Sequence, residues 1–433
     1  MRTHRFLQTL ALTFALVVGG VHAATPPVAR QATATPDRIA LTGPERVGFS
    51  SDSLKELDAA MQGIVDKKQL AGVVTLVARH GQVVQHKAYG VQDIDGQKPM
   101  ALDAIMRIYS MTKPIAGAAM MMLYEEGKWR LDDPITRYIP ELAKLQVFLG
   151  ENPDGTMKLE DARRPMTMRE LMTHSGGLGY ILNPNAPVDK LFIKENVLSA
   201  AAPLQTMIDK LAKMPLIAQP GTRWSYSIAV DVQGYLVEKL SGQPFADFLK
   251  ARLFDPLGMK DTAFYVPKEK VARLARLHRD GPDGKRTAPD DLPADLSVPP
   301  SGPSGGGGLY STPDDYLKFA QMLLNGGEFG GKRYLSPRTV QMMRTNHLQA
   351  EPVKTVRPGT GWGLGFRVVM DAAAAGEAVS DGSVDWFGIG GTWFWIDPVS
   401  DLVFVGMIQQ WNGRTTAEIQ GLSRNLVYQA LTN

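Results

Sequence analysis

The sequence predicts an α+β protein with two lobes, one mixing sheet and helices and one mostly helical. Apolar runs of strand length fall near both ends, at residues 72–89 and 361–410. Helical periodicity dominates from about 100 to 350. Loops rich in Pro and Gly, at 281–284 and 299–308, punctuate that helical middle. The simplest arrangement builds the mixed lobe from both termini, about residues 49–99 and 351–433, and the helical lobe from about 100–350.

Taken in chain order, residues 1–23 read as an export signal. Arg2 and Arg5 precede an apolar stretch from Phe6 to about Val18, and Val21-His22-Ala23 forms an A-x-A-like cleavage site. The apolar stretch is short and interrupted by Gln8, Thr9 and Thr13, so no stable membrane span is expected. The expected location is periplasmic or secreted after cleavage. Residues 24–48 read as a flexible leader and 49–433 as the folded domain. A capped helix follows at 51–68, with Leu54, Leu57, Met61, Ile64 and Val65 on one side. Strands at 72–79 and 83–89 are joined by a His80-Gly81 turn. Small and apolar residues from Pro114 to Leu123 make a helix buried nearly all round. Further helices are expected at 169–174, 230–241, 245–253 and 314–324. Strands at 361–369, 392–396 and 402–410 and a helix at 416–431 close the chain.

Composition excludes several classes of function. The chain has no cysteine, hence no disulfide, thiolate metal site or cysteine nucleophile. Lys and Arg number 47 against 44 Asp and Glu, a balance that argues against nucleic acid as a partner. The seven histidines are scattered without metal-ligand spacing, so neither a catalytic metal nor another cofactor is expected.

Ser110-Met111-Thr112-Lys113 is the feature richest in chemistry. A serine and a lysine three residues apart on a helix share one face, which pairs a nucleophile with a base. Serine attacks nothing unaided, whereas a desolvated lysine can lose its proton near neutral pH and accept the serine's. Pro114 fits only in a first helical turn, so Ser110 belongs at the helix N-terminus, where free N–H groups favour an oxyanion. A second candidate is Tyr226 in Trp224-Ser225-Tyr226-Ser227-Ile228, whose phenol can relay protons near an ammonium. The third is Trp386-Phe387-Gly388-Ile389-Gly390-Gly391-Thr392, a glycine-rich edge able to offer backbone N–H groups. Gly302-Pro303-Ser304-Gly305-Gly306 matches the G-x-S-x-G elbow pattern, but prolines precede it and glycines follow, so it reads as a loop. His174 reads as a structural histidine closing a helix.

With these blocks in order, the chain resembles the serine β-lactamase-like superfamily, and within it the family VIII carboxylesterases. The likeness also rests on Met166 through Leu178, Pro256-Leu257-Gly258-Met259, Ser304 through Thr312 and Gly361-Trp362-Gly363-Leu364-Gly365. It implies an antiparallel sheet flanked by helices, with Ser110 as acylated nucleophile, Lys113 as its base and Tyr226 managing the leaving-group proton. Which of Lys113 and Tyr226 is the neutral base stays open, since they titrate as a pair. The oxyanion hole would join the Ser110 N–H to that of the residue after the third motif. Two registers fit: Trp386-Phe387-Gly388 followed by Ile389, or Ile389-Gly390-Gly391 followed by Thr392. Relative to the lactamases, Ile228 replaces an asparagine, and Trp386 or Ile389 replaces a lysine. The resemblance therefore implies an exported carboxylesterase acting on small uncharged esters. A β-lactamase, a D-amino-acid peptidase and a non-catalytic penicillin-binding-like protein are the alternatives.

Overall fold

The computed structural model describes residues 40–281, 286–287, 295–348, 356–411 and 413–432. The expected signal at 1–23 lies outside them. α1 (Ser51–Asp66) starts where the Ser50 side chain caps the Ser53 N–H at 3.2 Å and buries Leu54, Leu57 and Met61. β1 (Gly72–Arg79) and β2 (Gln82–Asp93) form a hairpin, with His80 at φ 53° and Gly81 at φ 70°. That pair of left-handed residues matches the twist of the strands it joins.

The sheet is completed by β3 (Lys98–Pro99), β4 (Thr360–Trp362), β5 (Arg367–Val369), β6 (Val384–Phe387), β7 (Trp393–Asp397) and β8 (Leu402–Ile408). Its eight strands run β4-β5-β6-β7-β8-β1-β2-β3, each antiparallel to its neighbour. The two ends of the chain thus meet at β1 and β8, where Leu76 faces Val405. Both strands are buried on both faces, which explains their largely apolar sequence. Alternation still sorts their side chains. Val74, Leu76, Val403 and Val405 join the core shared with the helical lobe, while Val73, Val77, Leu402 and Phe404 pack beneath α1 and the C-terminal helix α5 (Gly413–Gln429).

In the helical lobe, α2 (Thr112–Glu125) is buried from Thr112 to Leu123 and lies beside α3 (Ala229–Ser241), with α4 (Pro313–Leu324) against the sheet. No helix among the described residues is long and apolar enough to cross a membrane.

Two expectations need correction. Residues 41–48, assigned to the leader, are docked on the domain. Thr42 N–H donates to Val83 O at 2.8 Å, Pro44–Val47 forms a 3-10 turn, and Val47 is buried. The single strand expected at 361–369 is instead the β4–β5 hairpin. Gly365, at φ 128°, lies over α2, and a Cβ on Gly117 would sit 2.6 Å from Leu364 O. The helix and the hairpin turn therefore meet backbone to backbone, an approach only glycine permits.

Candidate active site

Ser110 lies in a short 3-10 turn, Tyr109–Met111, that runs directly into α2. Lys113, in the first turn of α2, is fully buried. Its Nζ lies 3.3 Å from Ser110 Oγ and donates to Gly306 O at 2.7 Å. Aromatic rings close the remaining sides, with Tyr226 centred 4.4 Å and Tyr180 5.5 Å from the amine. No carboxylate makes an ion pair with it among the described residues. Burial pulls the ammonium down to about 7, against a weaker upward pull from Asp231. An amine with that value is a competent base at neutral pH.

Tyr226 is reached by both of its expected neighbours. Its hydroxyl accepts from Trp386 Nε1 at 3.2 Å. Burial raises its pKa, an effect that Ser110 and Trp386 oppose. Ser110 and Lys113 are thus brought together with Tyr226, far away in sequence, in one cluster. His174 fixes the tyrosine's segment on both sides. Its carbonyl accepts from Ser225 N–H at 2.8 Å and its Nδ1 from Ser227 N–H at 3.1 Å. Nδ1 is thus an acceptor, which places the ring proton on Nε2. Burial and the nearby Lys113 push its pKa well down, so it stays neutral. It does follow a short helix, Met168–Met172, as expected, and its ring also packs 4.9 Å from Tyr226.

The structure separates the residues of the third motif. Trp386 reaches the Tyr226 hydroxyl, and Ile389 stands on the rim, 41% exposed. Thr392 is buried, its hydroxyl donating to Ile108 O at 3.1 Å. Gly388 is required for packing, since a Cβ there would lie 2.4 Å from Ile108 O. Among the described residues, neither the Ser110 nor the Ile389 backbone N–H finds an acceptor. Ile228, expected to face substrate, is fully buried at the start of α3, its N–H donating to Gly179 O at 3.1 Å. The tight turn into α3 directs its side chain into the core.

Residues 302–308 form a turn with no strand directly before it and no helix directly after it, a two-residue strand at Tyr310–Ser311 following instead. Ser304 donates to Asp231 Oδ1 at 2.5 Å, and the Gly306 N–H donates to the same oxygen at 3.0 Å. Asp231 ends the second candidate stretch, 224–231, but was given no role from the sequence, although a carboxylate amid Ala229, Val230 and Val232 was a signal that could have assigned it one. Fully buried on α3, it holds the Gly306 peptide whose carbonyl holds Lys113. Burial raises its pKa, and Lys113 partly offsets this. Tyr180 carried no comparable signal.

Comparison with known proteins bears on the family and the fold. A family model described as Beta-lactamase matches residues 57–428. Protein Rv1367c of Mycobacterium tuberculosis is 37% identical over 361 residues, covering 81% of this chain and 88% of that protein. Esterase EstB of Burkholderia gladioli is 32% identical over 367 residues, covering 80% and 88%. Among solved structures, EstCE1, described as a hydrolase with promiscuous acyltransferase activity, superposes with a TM-score of 0.73 at 28% identity, covering 87% of this chain and 98% of that one.

Proposed function

The chain belongs to the beta-lactamase family and is a serine hydrolase, and on that premise we propose that it is an exported esterase cleaving small uncharged carboxylic esters through an acyl-enzyme on Ser110. One observation carries the reading: the buried Lys113 amine, drawn down to about 7, lies 3.3 Å from Ser110 Oγ. Ser110 Oγ attacks the ester carbonyl carbon as its proton passes to neutral Lys113. Lys113 rather than Tyr226 is the base, because burial favours the neutral form of both groups and for the tyrosine that form is the acid. The carbonyl oxygen, now negative, takes the free N–H groups of Ser110 and Ile389. As the tetrahedral intermediate collapses, the proton reaches the departing alkoxide through the Tyr226 hydroxyl. Water then attacks the acyl carbon, gives a proton to the same relay and frees Ser110 with the carboxylic acid.

The choice of esters over β-lactams follows from what surrounds the serine. Trp386 stands where the lactamases carry a lysine, and its ring packs tilted against Tyr226 at 5.3 Å instead of presenting a cation. Ile228 is buried and offers no amide. An apolar wall discriminates mildly by size, whereas a β-lactam's carboxylate and side-chain amide would lose their partners. Export rests on the basic start, the short apolar stretch and the Val21-His22-Ala23 junction.

Peptide mapping after fluorophosphonate labelling, paired with rates on p-nitrophenyl esters and a chromogenic cephalosporin, tests the chemistry. The label is expected on Ser110 and kcat/KM is expected to be higher for short esters; a higher value for the cephalosporin overturns the ester reading. Terminal sequencing of protein recovered outside the cytoplasm should begin at Ala24, and an intact Met1 overturns export.

A further inference from the structure

Tyr109, immediately before Ser110, has φ 45°, a left-handed conformation that side chains bearing a Cβ rarely adopt. Strain beside a reactive group persists only where the surroundings over-determine it, and here they hold the ring from two directions. The ring fills the space over Gly390, where a Cβ would lie 2.6 Å from its Cε2 and 2.8 Å from its Cδ2. The Arg107 guanidinium covers the ring at 4.5 Å and Trp411 meets its edge at 5.8 Å. Gly390 is itself tied down, since its carbonyl accepts from Gln410 N–H at 2.9 Å, next to Trp411. On the backbone side, Gly307 is a neighbour at ordinary packing distance, since a Cβ there would be 3.7 Å from the Tyr109 carbonyl carbon. Gly307 follows the peptide that holds Lys113.

One residue therefore adjoins the nucleophile, leans on the strand end that carries the Ile389 N–H, and abuts the loop that grips the lysine. We propose that Tyr109 is a positioning residue whose ring sets the spacing between the Ser110 and Ile389 N–H groups. The proposal rests on Ser110 being the acylated nucleophile. Losing one oxyanion donor outright costs ~100-fold in rate. Losing the spacer between two donors costs part of that, and the loss falls on kcat because the oxyanion exists only after attack.

The test uses the full chain with Tyr109→Phe, Tyr109→Gly, Gly390→Ala and the double variant Tyr109→Gly with Gly390→Ala. Readouts are kcat, KM, fluorophosphonate labelling rate and Tm. Tyr109→Phe keeps the ring and should hold kcat within about twofold of the parent. Tyr109→Gly relieves the backbone strain but removes the spacer. It should lower kcat and labelling ~10-fold or more, leave KM within about threefold, and show no matching fall in Tm. Gly390→Ala should slow turnover by displacing the ring, and should do so by less than about twofold once the ring is gone. The proposal is overturned if Tyr109→Gly keeps kcat, if Tyr109→Phe is as slow as Tyr109→Gly, or if only KM moves. Ser110→Ala separates the two readings. A dead Ser110→Ala with an unimpaired Tyr109→Gly refutes only the positioning role, whereas an active Ser110→Ala refutes the acyl-enzyme itself.

Discussion

Two of the buried charge clusters in this molecule are treated in opposite ways. On β5 and β6, Arg367 donates from Nε to Asp385 at 2.7 Å and from its two terminal nitrogens to Glu377 at 2.7 and 2.8 Å. Arg424 of α5 reaches both acids as well, at 2.6 and 3.1 Å. Burial works against the Asp385 carboxylate, yet Arg367 outweighs it and holds the pKa below its usual value. At the other site, Lys113 is equally buried but meets a carbonyl, a hydroxyl and two aromatic faces. Asp231 feels it only at a distance, having given one oxygen to Ser304 and Gly306. The comparison shows that depth alone does not shift a proton. A satisfied ion network keeps its charges and ties strands to a helix, whereas a buried cation denied a carboxylate becomes a base.

That contrast breaks first at Lys113. Lys113→Met should cut kcat by ~1,000-fold or more, measured by ester turnover. The same change should raise stability at pH 7. With its pKa at about 7 in the fold against 10.5 unfolded, Lys113 penalises the folded state increasingly as pH falls from 10.5 to about 7, and by a constant amount below that. The gain in Tm on Lys113→Met should therefore be larger at pH 7 than near pH 10.5. Arg367→Met is the reverse experiment, since it strands two acids beside Arg424. It should cost ~3–5 kcal/mol of stability in denaturant titration, while the protein that remains folded keeps kcat within about threefold. A drop in kcat matching that for Lys113→Met would erase the distinction between the two clusters.

Finer tests address the electrostatics. The acid limb of kcat/KM should lie near 7, with activity rising as Lys113 deprotonates. Asp231→Asn keeps an acceptor for Gly306 but removes the charge that favours the ammonium, so the limb should move to lower pH by ~0.5–1 unit. A limb that moves upward would contradict this placement of charge. The smallest effect is expected from Ser304→Ala, which removes one hydrogen bond to Asp231 and should change kcat by less than ~10-fold. If it proved as inactive as Ser110→Ala, the nucleophile would have to be reassigned to the 302–308 loop.

Much of the fold could be read directly from the residues. β1, β8, α1 and α4 declared themselves through largely apolar runs or capped periodicity, because each buries a whole face regardless of what covers it. The β4–β5 hairpin was hidden in what reads as one strand. Its turn exists only because α2 offers Gly117 for it to rest on, a contact from over 200 positions away. The leader's end was misplaced for a similar reason, since 41–48 are held by hydrogen bonds to β2 that local composition does not announce.

At the site, the sequence by itself determined which groups were available: a serine and a lysine one helical turn apart, a tyrosine before a second helix, and a glycine-rich strand end. Helical geometry makes the first pairing local, so no tertiary information was needed to see it. Everything that gives those groups their chemistry was decided by packing between distant segments. Trp386 was brought to the Tyr226 hydroxyl by a contact across 160 positions. The lysine's proton affinity came from being enclosed by Tyr180, Tyr226 and the Gly306 carbonyl. Ile228 was turned into the core by the start of α3. Desolvation depends on what surrounds a group in three dimensions, and a chain read in one dimension does not contain that neighbourhood until it is folded.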